Sequence, residues 1–153
     1  MYEKDLELIR TDYKRFALIV AEGLLFQNSP QHARNFTGTA DEIRARILNK
    51  RNDPIAQGLI QGMVDITEEH MAANYEYWST MAGSDFRTVL PEIDVPVLIL
   101  YADPGSGYSP ATAAYMKSQL PNAALMPIYG CTHMAASESP MQWRGCIAAF
   151  AYS

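Results

Sequence analysis

The chain has 153 residues, enough for one domain with a sizeable core, and its composition (48% hydrophobic, 19% charged) is that of a globular protein. A formal net charge of −5 argues against a nucleic-acid partner, because no basic stripe is present to neutralise phosphates. The N-terminus is charged where a signal peptide is apolar, and the longest apolar run (16–26) is too short to cross a bilayer. We therefore expect a cytoplasmic protein with no membrane partner.

The first 82 residues show a helical pattern. Apolar side chains recur every three or four positions in the first stretch: Leu6, Ile9, Tyr13, Phe16, Val20 and Leu24. Thr39 followed by Glu42 predicts a capping box, and Asp53 followed by Pro54 predicts another helix start. The apolar face expected for that helix is Ile55, Leu59 and Met63. A further helix is predicted to end at Gly83.

After Gly83 the pattern changes to that of an α/β fold. VPVLILY (95–101) and AALMPIY (123–129) predict two strands of a parallel sheet, the first of them buried on both faces. The helix between them is predicted to start at Ser109-Pro110 and to end at Pro121. A last helix begins near Pro140, and its expected buried side is Trp143, Ile147 and Phe150. The prediction is a two-stranded parallel sheet with flanking helices, preceded by a mostly helical region.

The loop after the second strand contains a histidine, His133. In parallel sheets, chemistry collects in the loops at the carboxyl ends of the strands, and Asp103 follows the first strand at the same edge. A histidine there is a general base, a metal ligand or an ordinary loop residue. The remaining histidines, His32 and His70, have no ligand partner at metal spacing, so we expect neither a metal site nor a cofactor. Cys131 and Cys146 are expected to be free thiols.

Three segments taken together resemble the C-terminal part of the α/β-hydrolase superfamily. They are LPEIDVPVLILYAD, SPATAAYMKSQLPNAALMPIYGCTH and ESPMQWRGCIAAF, within residues 85–151, and the resemblance rests on their order and spacing. It implies that His133, in the Gly-x-x-His loop, is the general base of a Ser-His-acid triad. It also implies a domain division into a helical cap-like region (1–84) and a C-terminal strand–helix–strand–helix unit (85–153).

The sequence departs from the family pattern in two places. Asp103 is the only carboxylate of its loop and falls about two residues early, so it is either the triad acid or a turn residue with Pro104-Gly105. No Gly-x-Ser-x-Gly elbow is present, and Ser106 lies in the acid loop. The resemblance therefore implies that the nucleophile lies in a part preceding Met1. The isolated chain is expected to be weak or inactive, because triad members act as a unit.

Two interpretations of function follow. In the first, the chain is the C-terminal half of a hydrolase acting on an ester, amide or similar carbonyl substrate, completed by an N-terminal polypeptide or by a second copy of the chain. In the second, it is a truncated, non-catalytic homo-oligomer that binds a ligand or a partner. An unrelated small α/β protein is a third possibility. Side chains that either pack in the core or bind an apolar substrate are Tyr75, Trp78 and Met134.

Overall fold

The structure, a computed structural model, describes residues 3–26, 35–65, 68–105 and 107–153. The chain divides into two compact units. The first, Met1–Glu22 with Arg34–Ser84, is called the helical unit, and the second, Gly23–Ala33 with Asp85–Ser153, is called the α/β unit. Within the described ranges, every helix is too short or too polar to cross a membrane.

Five helices account for the described part of the helical unit, and the second of them continues into the α/β unit. They are α1 (Glu3–Thr11), α2 (Tyr13–Leu25), α3 (Ala40–Lys50), α4 (Pro54–Val64) and α5 (Glu68–Gly83). Asp12 separates α1 from α2, and its carboxylate accepts a hydrogen bond from the N–H of Arg15 at 3.1 Å, as a helix N-cap does. The predicted apolar stripe therefore spans two helices, with Ile9, Phe16 and Val20 buried.

Both predicted helix starts are confirmed. The Thr39 hydroxyl accepts from the Glu42 N–H at 3.3 Å, and the Glu42 carboxylate accepts from the Thr39 N–H at 2.8 Å, which completes the capping box of α3. At α4, Asp53 Oδ1 accepts from the N–H groups of Ile55 and Ala56, both at 2.9 Å. Each cap satisfies backbone donors that the first helical turn leaves unpaired.

The predicted apolar face of α4 is wrong by one position. Its expected members are only half-buried: Ile55, Leu59 and Met63. The buried row is instead Ala56, Ile60 and Val64. Two neighbouring rows of α4 are equally apolar, so the helix that packs on it decides between them, and α4 packs against α3. The facing residues Ile43 and Ile47 of α3 are fully buried.

Two side-chain contacts join α2 to the rest of the helical unit. The buried ring of Phe16 meets Trp78 of α5 edge to face, with ring centroids 5.6 Å apart. Glu22, which interrupts the apolar run in the sequence, accepts two hydrogen bonds from Arg46 of α3, each at 2.7 Å. A bidentate, partly buried pair of this kind explains how the carboxylate is accommodated next to apolar neighbours.

The α/β unit has the predicted strand–helix–strand–helix order. After a 3₁₀ turn (Leu90–Glu92) come β1 (Val97–Pro104), α6 (Pro110–Gln119), β2 (Ala123–Cys131), α7 (Ala135–Glu138) and α8 (Pro140–Ala151). The strands pair in parallel, with Val97 opposite Ala123 and Asp103 opposite Tyr129. An irregularity follows Asp103, where Gly130 adopts a φ of 74° and the next pair is Pro104 with Cys131.

Helices cover both faces of this sheet, as the predicted fold class requires. The core between the sheet and α6 is Ile99, Ala113, Leu120 and Ala123. On the other face Ile128, Cys131 and Ala135 pack with Trp143 of α8. Both cysteines are free thiols.

The predicted burial is wrong at the margins of the sheet. Ile99 is the one residue of β1 that is fully buried, and on α8 Trp143 and Phe150 are half-buried while Ile147 is 44% exposed. The reason is the width of the sheet. Two strands are too narrow to cover an entire helix face, whereas the sequence pattern is that of a strand inside a wider sheet.

The cap of α4 gives a first test of the fold. We expect Asp53→Ala to lower the free energy of unfolding by about 1 kcal/mol, because the first turn of α4 loses its side-chain acceptor. Asp53→Asn should retain most of the stability, since an amide oxygen also caps. Urea unfolding of the three proteins measures this. Equal destabilisation by both variants would contradict the capping role.

Candidate active site

Parallel pairing brings the ends of β1 and β2 to one edge of the sheet. Asp103 is the penultimate residue of β1, and His133 lies two residues beyond the end of β2. Asp103 was expected in the loop after the strand; this is wrong, because the pairing with β2 continues to Pro104. The side chain of Asp103 is half-buried and forms no hydrogen bond or ion pair with any other described residue. Neither a bond to His133 nor the alternative turn cap is therefore formed.

A carboxylate from α7 fixes the loop that holds His133. Glu138 Oε2 accepts from the backbone N–H of Thr132 at 2.6 Å, and Oε1 accepts from the Thr132 hydroxyl at 2.8 Å. The Thr132 oxygen in turn accepts from the N–H of Met134 at 3.2 Å. Because Thr132 is buried, these bonds replace water that the loop cannot reach. We call Thr132 and Glu138 together the loop clamp.

The position of His133 is determined by contacts with two other segments of the α/β unit. Its backbone N–H donates to the carbonyl of Leu24 at 3.3 Å. Its imidazole lies against the ring of Tyr108, with ring centroids 5.8 Å apart. Although much of the residue is exposed, desolvation lowers the pKa of His133 below its ordinary value of 6.5. The imidazole is therefore neutral near pH 7, the state that can accept a proton.

A glycine turn brings Tyr108 back toward the histidine. Gly105 follows β1 with a φ of 74°, in the left-handed region that favours glycine. A Cβ at this position would lie 2.6 Å from the carbonyl oxygen of Ala102, so no side chain fits. The sequence contains the glycine, but it holds no signal that Tyr108 contacts His133. Glu138 belongs to the Glu-x-Pro segment of the family resemblance, and its bonds to Thr132 become visible only in the structure.

The candidate substrate-binding residues belong to different units. Tyr75 lines an open cavity in the helical unit, and Trp78 packs against Phe16. Met134 is half-buried beside the loop clamp in the α/β unit. Ser106 and His32, considered in the sequence, lie outside the described residues, and His70 is exposed on α5. The described residues contain no cluster of three or more metal-ligating side chains.

Comparison with known proteins gives a fold but no family. No protein-family model matches the chain, and no curated protein sequence matches it. Among solved structures, a hydrolase from Pseudomonas aeruginosa PA01 matches with a TM-score of 0.68 at 15% sequence identity. The match covers 99% of this chain and 49% of that protein, so the chain spans about half the length of its structural neighbour. The fold is hydrolase-like.

The environment of His133 can be tested by titration. We expect His133 to titrate below pH 6.5, and Tyr108→Ala to move its pKa back toward 6.5, because the removed ring readmits water. NMR chemical shifts of the imidazole against pH provide the measurement, and Tyr115→Ala, an exposed tyrosine of α6, is the matched control. No change on removing Tyr108 would show that its ring does not desolvate the histidine.

The same shift has a defined sign for stability. As the pH falls below 6.5, the unfolded chain takes up a proton at His133 before the folded chain does, so this residue then favours unfolding.

The loop clamp predicts a local change in hydrogen exchange. Glu138→Ala should speed exchange of the Thr132 and Met134 amide protons at least about tenfold, because the buried loop loses a charged acceptor. Glu138→Gln should have a smaller effect, since one acceptor remains. The exposed Glu92 of the same unit is the control, as Glu92→Ala should leave both protons unchanged. Unaltered exchange in Glu138→Ala would remove the clamp from the account of this site.

Proposed function

We propose that this chain is the C-terminal half of an α/β-hydrolase-type enzyme that acts on an ester, amide or similar carbonyl substrate. The observation that carries the proposal is the loop after β2, where the loop clamp presents His133 at the carboxyl edge of a parallel sheet. The hydrolase-like fold, matched over about half of a hydrolase, supports it.

In this proposal His133 is the general base and later the general acid. The neutral imidazole removes the proton of a serine hydroxyl while the serine oxygen bonds to the carbonyl carbon and the carbonyl electron pair moves to its oxygen. When the tetrahedral intermediate collapses, the imidazolium gives that proton to the departing alcohol or amine. Water then attacks the acyl-serine with the same proton transfers, releasing the acid and restoring the serine.

Asp103 is the proposed orienting acid. It ends the strand adjacent to the one that precedes His133, at the same edge of the sheet. A carboxylate there would hold the imidazole in the tautomer that accepts the serine proton and would stabilise the imidazolium. The proposal requires an Asp103–His133 hydrogen bond to form when the site is completed, as catalytic hydrogen bonds often tighten only in the complex.

The serine must come from another polypeptide segment, because this sequence has no Gly-x-Ser-x-Gly elbow. The two edges of the sheet differ in their capacity to receive one. Gln142 of α8 occupies the outer edge of β2, where its Oε1 accepts from the Tyr129 N–H at 3.0 Å and its Nε2 donates to the Tyr129 carbonyl at 3.2 Å. Among the described residues β1 pairs only with β2, so we assign the complementing strand to the other edge of β1.

Exposed apolar side chains in the α/β unit support a covering partner. The large ones include Phe86, Val89, Val95, Tyr129, Met141 and Ile147. Met141 is 78% exposed at the start of α8. Such surface is expected where a wider sheet and its helices are completed by a further segment of polypeptide.

A second candidate is a non-catalytic homo-oligomer that binds a ligand or partner. The specific observation in its favour is that Asp103 forms no hydrogen bond with His133 in the described structure. Exposed Tyr77 and Met81 of α5 would contribute to contacts between copies. In this case the loop clamp has a structural role alone.

The two candidates differ in what accompanies the chain. We expect affinity purification of the tagged chain from its natural cells to recover a polypeptide with a serine that a fluorophosphonate probe labels. His133→Ala should slow that labelling by about 10³-fold or more, because the serine loses its base. His70→Ala is the control, since His70 is exposed on α5 in the other unit.

Three outcomes decide between the candidates. A clean homo-oligomer by light scattering, with no labelled serine, favours the second candidate. Labelling that His133→Ala does not slow overturns the assignment of the base. Hydrolysis of an activated ester by the purified chain alone, at a rate that depends on His133, would overturn the need for an external nucleophile.

A further inference from the structure

The helical unit contains an open cavity of about 510 Å³. Its wall includes Ile9 and Arg10 at the end of α1, Tyr13 at the start of α2, and Met71, Tyr75 and Glu76 on α5. This volume is within the range of sites that bind small organic molecules. All of these residues belong to one unit, and the proposed hydrolase chemistry uses none of them as catalytic groups.

One part of the cavity wall is apolar. Ile9 is buried at 3% exposure, and Met71 and Tyr13 are half-buried beside it. Burial also raises the pKa of Tyr13, so its hydroxyl remains neutral and able to donate a hydrogen bond at physiological pH. Aliphatic, thioether and aromatic groups together form a surface that suits an aromatic or aliphatic ligand body.

The other part of the wall is a positioned arginine. Arg10 Nε donates to the Tyr75 hydroxyl at 2.8 Å, and the guanidinium carbon lies 5.8 Å from the Tyr75 ring centroid. The Tyr75 contact occupies the Nε–H alone. In the part of the chain that the structure describes, Arg10 forms no ion pair, and neither Nη atom donates a hydrogen bond. Two parallel donors with one positive charge match the two oxygens of a carboxylate.

We propose that this cavity binds a monocarboxylate with an aromatic or aliphatic body, its carboxylate paired with Arg10 and its apolar part against Ile9, Met71 and Tyr13. Glu76 in the same wall sets the charge of the ligand. With one cation and one anion lining the cavity, a singly charged group is accommodated, whereas the second charge of a dianion such as a phosphate monoester is repelled.

The test is a direct binding measurement on the full chain, independent of any hydrolysis, so its failure and that of the proposed function are distinguishable. Calorimetric titration compares phenylbutyrate with its neutral amide, phenylbutyramide, and with phenyl phosphate. We expect the carboxylate to bind at least about tenfold more tightly than the amide, since a hydrogen-bonded charge pair is lost in the amide. Phenyl phosphate should bind more weakly than phenylbutyrate.

Variants assign the effect to residues. Arg10→Met should weaken phenylbutyrate binding about tenfold or more, and Glu76→Gln should strengthen it by about two- to fivefold through loss of repulsion. Arg144→Met is the matched control, because Arg144 is an exposed arginine of α8 in the other unit and should leave the affinity unchanged. Circular dichroism checks that each variant is folded.

A second measurement on the unaltered chain keeps the proposal testable if Arg10→Met fails to fold. The Nε–H signal of Arg10 in NMR spectra should shift on adding phenylbutyrate and stay in place on adding the amide. Equal affinity for acid and amide, no binding of either, or an Nε–H signal that does not respond to the acid would each overturn the proposal.

Discussion

The parallel pairing of β1 with β2 is the interaction on which the candidate site depends. Because the strands run in the same direction, both carboxyl ends lie at one edge, and the register places Asp103 opposite Tyr129. A slip of one residue would turn every side chain to the opposite face of the sheet. The apolar clusters on the two faces oppose such a slip, so the packing of α6 and α8 also fixes the position of the loops.

The elements that sequence predicted best are those specified by local chemistry. Thr39 with Glu42, and Asp53 before Pro54, each satisfy N–H groups within four residues, so the helix starts are readable without knowledge of the fold. The end of β1 and the buried row of α4 are different. They depend on which segments lie opposite them, and one apolar row of α4 resembles the next until α3 selects between them.

The same distinction applies to the candidate site. His133 could be located from the sequence because strand, loop and helix follow each other in a recognisable order. Its contact with Tyr108 could not, since that contact arises from a reversal at Gly105 and from the approach of two loops far apart in the chain. Glu138 was visible as part of a motif, yet its bonds to Thr132 require the fold of α7, a four-residue helix that the apolar pattern does not indicate.

The Gln142 amide has a consequence for how copies of this chain could assemble. By pairing with both backbone groups of Tyr129 it imitates one residue of a neighbouring strand and blocks growth of the sheet beyond β2. Each chain then offers a single open edge. Contacts through one edge per chain close after two members, whereas two open edges would propagate head to tail into a filament. A side-chain amide on α8 thus favours a finite complex over fibrous aggregation.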